Sequence, residues 1–197
     1  MLTIPSRTSI RGAPVEGLRT LLCPIEPADG PDLWTAVDGS RWHLERWLPW
    51  VPFNNSPEAS QRYAEVCAQD WDAGRAVRLA IRSKATRELL GVVGLDAIVH
   101  LHRSCELGYW LRRDVTGQGL MTEAAAACLR FAFETLGAHR VRCAAATENY
   151  ASLRVIMRLG FCFEGIARQA ENISGRWIDH AVFAKLATDD RAPRGAS

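Results

Sequence analysis

The chain has 197 residues, 48% of them hydrophobic and 23% charged, a composition that predicts one globular domain with a substantial core. The 24 Lys and Arg residues nearly balance the 22 Asp and Glu residues, and no basic run reaches five, so bulk electrostatics give no sign of nucleic-acid binding. The sequence has neither an apolar stretch of the roughly 18 residues that a membrane span needs nor the apolar segment of a secretory signal, so we predict a cytoplasmic protein without a membrane partner.

The first half of the chain is predicted to fold as a strand followed by two helical regions. Residues 1–17 carry no clear periodicity and are expected to be flexible. The segment "LRTLLCPI" reads as a strand, and "PDLWTAVDGSRWHLERWL" reads as a helical region that a proline ends. Ser56, followed by a proline and a glutamate, is a helix cap for a helix that runs to about Asp72.

The second half begins with a β-meander. Strands are predicted for "AVRLAIRS", "ELLGVVGLDAIV" and "CELGYWL". A helix from about Met121, another strand in "RVRCAAA" and a short helix follow. Two last strands lie near "EGIARQAE" and "DHAVFAKL", and the polar residues 188–197 are expected to form a flexible tail. This order predicts a mixed α/β domain and not a regular βαβ repeat.

The stretch "DVTGQGLMTEAAAACLRFAFETLG" places a glycine loop between a strand and a long helix. Gly117 and Gly119 would let the backbone approach a ligand closely, and the positive end of the helix attracts phosphate. Arg112 and Arg113, just before the loop, could supply a pairing cation. A tight turn would also explain the two glycines, because the third glycine of a Rossmann loop and the lysine of a Walker loop are both missing.

A second informative stretch is "TENYASLRVIMRLGFCFEG", which predicts a short helix. Asn149 would cap its N-terminus, and Gly160 would end it as the glycine after the last helical residue. On the simplest interpretation, Asn149 and Ser152 only satisfy the amides at the helix N-terminus.

Together these stretches resemble the GNAT acetyltransferase superfamily, and more narrowly its RimJ/RimL-type ribosomal-protein N-acetyltransferases. The resemblance covers roughly residues 18–187 and is carried by "HLERWLPWV", by "ELGYWL" leading into "GQGLMTEA", by "NYASLRVIMRLGF" and by "EGIARQAENISGRWIDHAVFAKL". It implies a single α/β (α+β) N-acetyltransferase domain over these residues. The implied domain has a central, mixed but mostly antiparallel twisted sheet, helices on both faces and a splayed strand pair that holds acetyl-CoA.

The resemblance also implies which residues contact acetyl-CoA, the only co-substrate expected, with no metal. The pyrophosphate would meet the amides of residues 117–122, and the pantetheine would run along the strand before the loop. The implied contacts are Tyr109, Trp110, Leu111, Arg112, Gly117, Gln118, Gly119, Leu120, Met121, Thr122, Asn149 and Ser152. One position departs from the family pattern. Asp114 stands where Gln or Arg is usual, and a carboxylate beside a pyrophosphate would repel it.

Acetyl transfer needs an amine without its proton, a polarised thioester carbonyl and a proton for the departing thiolate. By resemblance, Ser152 is the acid and Glu171 the base, while a main-chain N–H near Trp110 would polarise the carbonyl. Glu106, which begins "ELGYWL", is the alternative base. His180 has an ordinary pKa near neutrality but is interpreted as a structural residue of a strand.

Four tryptophans lie in segments that, by resemblance, border the acceptor cleft: Trp42, Trp47, Trp50 and Trp177. The expected acceptor is the α-amine of a protein N-terminus, such as that of a ribosomal protein, because its pKa near ~8 leaves a usable neutral fraction. A small-molecule amine, such as an antibiotic, a polyamine or an amino-acid conjugate, is the first alternative. A non-catalytic acyl-CoA-binding module is the second. The sequence leaves the oligomeric state open, a homodimer included.

Overall fold

A computed structural model describes residues 1–189 as one eight-stranded sheet with six α-helices. The tail expected over residues 188–197 lies, from residue 190 onward, outside the described residues. The helices are α1 (Arg7–Gly12), α2 (Gly30–Asp38), α3 (Arg41–Leu44), α4 (Pro57–Asp72), α5 (Leu120–Arg130) and α6 (Tyr150–Arg158). The strands are β1 (Val15–Glu16), β2 (Thr20–Pro24), β3 (Val77–Ser83), β4 (Leu89–Val99), β5 (Ser104–Leu111), β6 (Arg140–Ala146), β7 (Cys162–Ile173) and β8 (Arg176–Leu186).

The strands follow the order β1-β2-β3-β4-β5-β6-β8-β7 across the sheet. Every neighbouring pair is antiparallel except β5 and β6, which run parallel because the crossover through α5 separates them. The predicted fold class, a mixed and mostly antiparallel sheet in a single α/β domain, is therefore confirmed.

Helices pack on both faces of this sheet, as expected. On one face, α5 lies against alternate residues of β5, and its Ala124, Ala125 and Cys128 are completely buried. These small side chains let the helix approach the sheet closely. On the other face, α2 and α4 cover the strands as far as Trp110 of β5. The two layers thus meet around β5, the strand that leads into the glycine loop.

The capping signals in the sequence are confirmed. Ser56 Oγ accepts a hydrogen bond from the Ala59 amide at 3.3 Å, at the start of α4. Asn149 Oδ1 accepts one from the Ser152 amide at 3.1 Å, at the start of α6. Gly160 follows α6 with a φ of 76°, a conformation that favours glycine.

The N-terminal segment differs from the expectation of flexibility. Residues 7–12 form α1, and Leu2 and Ile10 are buried in the main core. The Trp71 indole N–H donates to the carbonyl oxygen of Pro5 at 2.9 Å, across more than sixty residues of sequence. Burial of two isolated apolar side chains fixes the segment, and such long-range docking leaves no periodic pattern in the sequence.

The two outer strands of the sheet are irregular or short. β1 has only two residues. β7 shifts register twice along β8, between Phe163 and Gly165 and again between Ala167 and Glu171. Gln169 lies in the second shift and has a φ of 49°. Within residues 1–189, none of the helices has both the length and the apolar character needed to cross a bilayer.

Candidate active site

A cavity of about 420 Å³ opens where β5 ends. Its walls come from α3 and the residues after it, the end of β5, the glycine loop, the first turn of α5, and α6. Of the residues predicted to contact acetyl-CoA, all but Arg112 and Gln118 line it. The lining also includes Arg113, which the sequence suggested as a pairing cation. The other lining residues were not singled out as cofactor contacts: His43, Leu44, Trp47, Leu48, Thr116, Ala151, Arg154, Val155 and Arg158.

The cavity exists because β5 and β6 separate. Their parallel pairing covers Ser104 to Glu106 on β5 and Arg140 to Arg142 on β6, and it ends there. Beyond this point β6 continues to pair with β8 as far as Ala146, whereas β5 continues to pair with β4. The predicted splayed strand pair is therefore present, and its opening leads to Tyr109 and the glycine loop.

The glycine loop presents an uncapped helix end to the cavity. Gly117 and Gly119 both have a φ of 77°, in the region that favours glycine. Gly119 is the N-cap residue of α5 and, within residues 1–189, no side chain caps it. A Cβ added to Gly117 would have no atom of residues 1–189 within 4 Å, so these residues leave the space above the loop open. An anion placed there would meet free amides and the positive end of the helix dipole.

Two residues that the sequence analysis did not predict stabilise this loop, Arg19 and Glu123. The Glu123 carboxylate, in the first turn of α5, accepts hydrogen bonds from the Arg19 amide at 2.6 Å and from the Thr20 amide at 3.0 Å. The Arg19 guanidinium pairs with Glu123 at 2.9 Å and donates to the Gln118 carbonyl oxygen at 3.1 Å. Burial raises the pKa of Glu123, but these hydrogen bonds outweigh it and the net shift is downward.

Arg112 does not line the cavity. Its guanidinium pairs with Asp114 at 2.5 Å and donates to the Leu89 carbonyl oxygen at 3.1 Å. The hydrogen bond from Arg112 lowers the pKa of Asp114, so the carboxylate is charged and its charge is compensated within the loop. The repulsion expected from Asp114 is therefore offset by a residue that was predicted to face the phosphate.

The charged side chains that line the cavity are all arginines. Arg113 lies over the Trp42 ring at 5.4 Å, while Arg154 and Arg158 come from α6. The last two are four residues apart and so share one helix face, a spacing that could have been noticed in the sequence. Burial, reinforced by the charge of Arg113, lowers the pKa of His43, which is therefore a neutral imidazole at physiological pH. The cavity is electrostatically suited to an anion.

A pair of hydroxyl groups lies on the α6 side of the cavity. Tyr109 Oη is 2.9 Å from Ser152 Oγ and 3.3 Å from the Ser152 carbonyl oxygen. Asn149 already satisfies the Ser152 amide, so the Ser152 hydroxyl is not needed as a cap. Burial raises the pKa of Tyr109 well above its ordinary value, and the phenol keeps its proton.

The two candidate bases lie in different surroundings. Glu171 Oε2 is 3.3 Å from His180 Nε2, and neither residue lines the cavity. Glu106 forms an ion pair with Arg142, the residue opposite it on β6. By strand alternation, His180 and Glu106 are on the sheet face opposite α5 and α6, because His180 pairs with Ala146 and alternates with the buried Ala181.

The tryptophans expected at the acceptor cleft do not share one role. Trp47 lines the cavity. The Trp50 ring lies 6.1 Å from the ring of Trp110 and packs with the second core layer. Trp42 and Trp177 are 65% and 60% exposed, so both are available to contact another molecule.

Comparisons with protein families, with known sequences and with solved structures agree with one another. A family model described as an acetyltransferase (GNAT) domain matches residues 19–162. The ribosomal protein uS5-alanine N-acetyltransferase of Escherichia coli K12 is 29% identical over 167 residues, covering 82% of this chain and 86% of that protein. The solved structure of RimL, a ribosomal α-N-protein acetyltransferase in complex with coenzyme A, has a TM-score of 0.82 at 25% identity, covering 88% of this chain and 96% of that one.

A second structure shares the fold at lower identity. It is the microcin C7 self-immunity acetyltransferase MccE, solved with acetyl-CoA and AMP. Its TM-score is 0.81 at 22% identity, covering 86% of this chain and 93% of that one. Proteins of this fold thus include some that bind coenzyme A or acetyl-CoA.

Proposed function

Because the chain belongs to the GNAT acetyltransferase family, we propose that this acetyl-CoA-dependent N-acetyltransferase acts on the N-terminal α-amine of a protein, such as a ribosomal protein. The observation that carries the proposal is the cavity itself, which joins an uncapped helix end to a pair of hydroxyl groups beside an opening in the sheet. The E. coli relative, by its name, acetylates an alanine of a ribosomal protein. Residues 18–187 would form the catalytic domain, with residues 1–17 packed on it.

In the proposed complex, the amides of residues 117–122 hold the pyrophosphate of acetyl-CoA. Arg113, Arg154 and Arg158 add positive charge from two walls, which supports binding of a polyanion. Residues 109–111 flank the pantetheine, and Asn149 lies at the same wall. The open space above Gly117 fits a group that must approach the backbone closely.

Ser152 is proposed to give its proton to the departing thiolate. Tyr109 holds its proton, so it can donate to Ser152 Oγ and leave the serine O–H directed into the cavity. A main-chain N–H near Trp110 or Leu111 would polarise the thioester carbonyl. The amine attacks that carbonyl carbon directly, the C–S bond breaks, and the sulfur receives the Ser152 proton, which Ser152 replaces from solvent at the open side of the cavity.

Glu171 is proposed to accept the proton of the acceptor amine, directly or through a water. His180 at 3.3 Å fixes the position of this carboxylate. The ion pair with Arg142 makes Glu106 the weaker candidate, because the guanidinium already occupies that carboxylate. An α-amine needs only a weak base, because its pKa near ~8 is well below that of a lysine side chain and a larger fraction of it is already neutral.

A small-molecule amine remains the second candidate acceptor, supported by the shared fold of MccE. The test is acetyl-CoA turnover with peptides that carry a free N-terminus, matched peptides with a blocked N-terminus and one internal lysine, and small amines such as a polyamine and an aminoglycoside. We expect turnover of the free peptides, with the acetyl group on the α-amine by mass spectrometry. Turnover of small amines alone would replace the proposed acceptor, and acetyl-CoA binding without any turnover would favour a non-catalytic module.

A further inference from the structure

Arg19 and Glu123 form a brace that holds the glycine loop against the turn between β1 and β2. The Arg19 guanidinium makes two contacts at once: its Nε pairs with the Glu123 carboxylate at 2.9 Å, and its Nη2 donates to the Gln118 carbonyl oxygen at 3.1 Å. A planar guanidinium suits such a forked contact, because its N–H groups have fixed directions. The brace therefore joins the turn to one particular peptide unit of the loop, the unit between Gln118 and Gly119.

The turn between β1 and β2 is built around the Glu123 carboxylate. Glu123 Oε1 accepts hydrogen bonds from the Arg19 amide, the Thr20 amide and the Thr20 hydroxyl, at 2.6, 3.0 and 2.9 Å. A Cβ added to Gly17 would lie 2.6 Å from the same oxygen, so the turn needs glycine there. The Arg19 carbonyl oxygen accepts a hydrogen bond from the Lys84 amide at 2.9 Å, just after β3. These contacts fix both the backbone and the guanidinium of Arg19.

The carbonyl group that Arg19 holds decides where the next amide points. A trans peptide unit is planar, with its C=O and N–H on opposite sides, so the N–H of Gly119 points away from Arg19. Gly119 lines the cavity, whereas Arg19 and Gln118 do not. The Gly119 N–H is therefore directed towards the cavity. A cationic donor on the carbonyl oxygen also polarises the peptide unit, which makes this N–H a stronger donor.

The glycines of the loop leave this peptide unit free to rotate. Gly119 has a φ of 77°, but glycine adopts negative φ values about as readily, so the unit can turn over at little steric cost. In the turned-over loop, the Gln118 carbonyl oxygen would face the cavity and repel an anion. A loop that lets a ligand approach its backbone thus needs another group to select the orientation that binds. Arg19, 99 residues away in sequence, is placed to be that group.

We infer that Arg19 is a positioning residue for acetyl-CoA: it keeps the Gly119 N–H directed at the pyrophosphate, and Glu123 keeps Arg19 in place. This inference rests on the proposed function, which places the pyrophosphate at the amides of residues 117–122. Arg19 acts through the peptide unit and not by touching the cofactor. Its loss should therefore weaken the binding of the pyrophosphate but not that of the acetylated pantetheine arm, which residues 109–111 flank.

The test measures the Kd of acetyl-CoA and of S-acetyl-pantetheine, which has no pyrophosphate, for the wild type, Arg19→Ala and Arg19→Lys. Arg82→Ala is the matched control. The Arg82 guanidinium also pairs with a carboxylate, that of Asp29 at 2.6 Å, and donates to a backbone carbonyl oxygen, that of Arg87 at 2.9 Å. The Arg82 side chain is 19% exposed against 50% for Arg19, so its loss should cost at least as much stability, and it does not line the cavity.

We expect Arg19→Ala to stay folded, because the hydrogen bonds from Thr20 to Glu123 remain. Its Kd for acetyl-CoA should rise about tenfold, as for the loss of a hydrogen bond to a charged group, while its Kd for S-acetyl-pantetheine stays within about twofold. Arg19→Lys keeps the charge but not the fork, so its affinity for acetyl-CoA should fall by a similar factor. Arg82→Ala should lower the melting temperature without changing either Kd.

A folded Arg19→Ala protein that keeps the wild-type preference for acetyl-CoA over S-acetyl-pantetheine would overturn the inference. So would an equal loss of affinity for both compounds, or an unchanged Kd in Arg19→Lys, which would show that charge alone is used. A wild type that binds the two compounds equally would refute the proposed pyrophosphate site and the inference with it. Because these measurements need no acceptor, a failure to acetylate any peptide would refute the proposed acceptor alone, and the Kd values would still decide the inference.

Discussion

Replacement of Ser152 by alanine separates a catalytic hydroxyl from a structural one. The change removes the 2.9 Å contact with Tyr109, whose phenol keeps the Ser152 carbonyl oxygen at 3.3 Å as its one hydrogen-bond partner within residues 1–189. One weakened hydrogen bond in a partly buried site costs about 1 kcal/mol of the free energy of unfolding. In a domain of this size, that lowers the melting temperature by about 2–4 °C. The helix cap is preserved, because Asn149 provides it.

The effect on catalysis should be much larger than the effect on stability. If the Ser152 hydroxyl protonates the thiolate, kcat should fall by about tenfold to a thousandfold, with little change in the KM for acetyl-CoA. Release of the CoA thiol at saturating concentrations of both substrates measures kcat. A thermal melt of the same preparation measures stability.

Tyr109→Phe is the matched partner variant. It removes the phenol O–H at a similar cost in stability but leaves the Ser152 hydroxyl, so kcat should fall by only about tenfold. Because the two groups act together, the double variant should be no slower than Ser152→Ala alone. Full turnover by Ser152→Ala, combined with a lower melting temperature, would refute the assignment of Ser152 as the acid.

Three further perturbations test the loop, the base and the brace. Gly117→Ala should weaken acetyl-CoA binding in a calorimetric titration. Gly175→Ala is the control, because Gly175 has a φ of 85° and equally open space, so the variant should carry similar strain and leave the affinity unchanged. Equal affinities of the two variants for acetyl-CoA would contradict the phosphate site. Glu171→Gln should bind acetyl-CoA normally but turn over slowly, and part of its rate should recover as the pH rises. Glu106→Gln should lose less of the turnover rate. If a pH–rate profile shows the larger loss for Glu106→Gln, the base is Glu106. Glu123→Gln should lower stability by about 1–3 kcal/mol at neutral pH. Because the pKa of Glu123 is depressed in the folded state, the stability that its carboxylate contributes is lost as the pH falls through that pKa. The difference in melting temperature between the wild type and Glu123→Gln should therefore narrow towards pH ~4. A difference that stays constant with pH would argue against a stabilising role for the Glu123 carboxylate.

The elements and their ends were predictable because they depend on local chemistry. Periodic apolar residues predicted each long strand and helix. The cap at Ser56 marked the start of α4, and the glycine after α6 marked the end of that helix, where the structure has them. The glycine loop was predictable too, since both of its glycines need a positive φ.

Contacts between distant parts of the chain were not predictable. Arg19 and Glu123 are 104 residues apart, so no pattern indicates that one braces the other. Leu2 gave no periodic signal, although it is buried. Arg112 was predicted to face the phosphate on its position alone, but its pairing with Asp114 depends on how the loop turns. Resemblance to a family supplied the residues proposed to be catalytic, which spacing alone would not have identified.

The two outer strands affect how this protein behaves at high concentration. A long, flat outer strand offers a row of free amides and carbonyls to which another molecule can add a strand, and this is a common route to aggregation. β1 is too short to serve as such a template, and the two register shifts of β7 interrupt its row of hydrogen-bonding groups. The bulges therefore protect an otherwise exposed sheet from self-association through its edges, and a variant that straightened β7 should be less soluble than the natural chain.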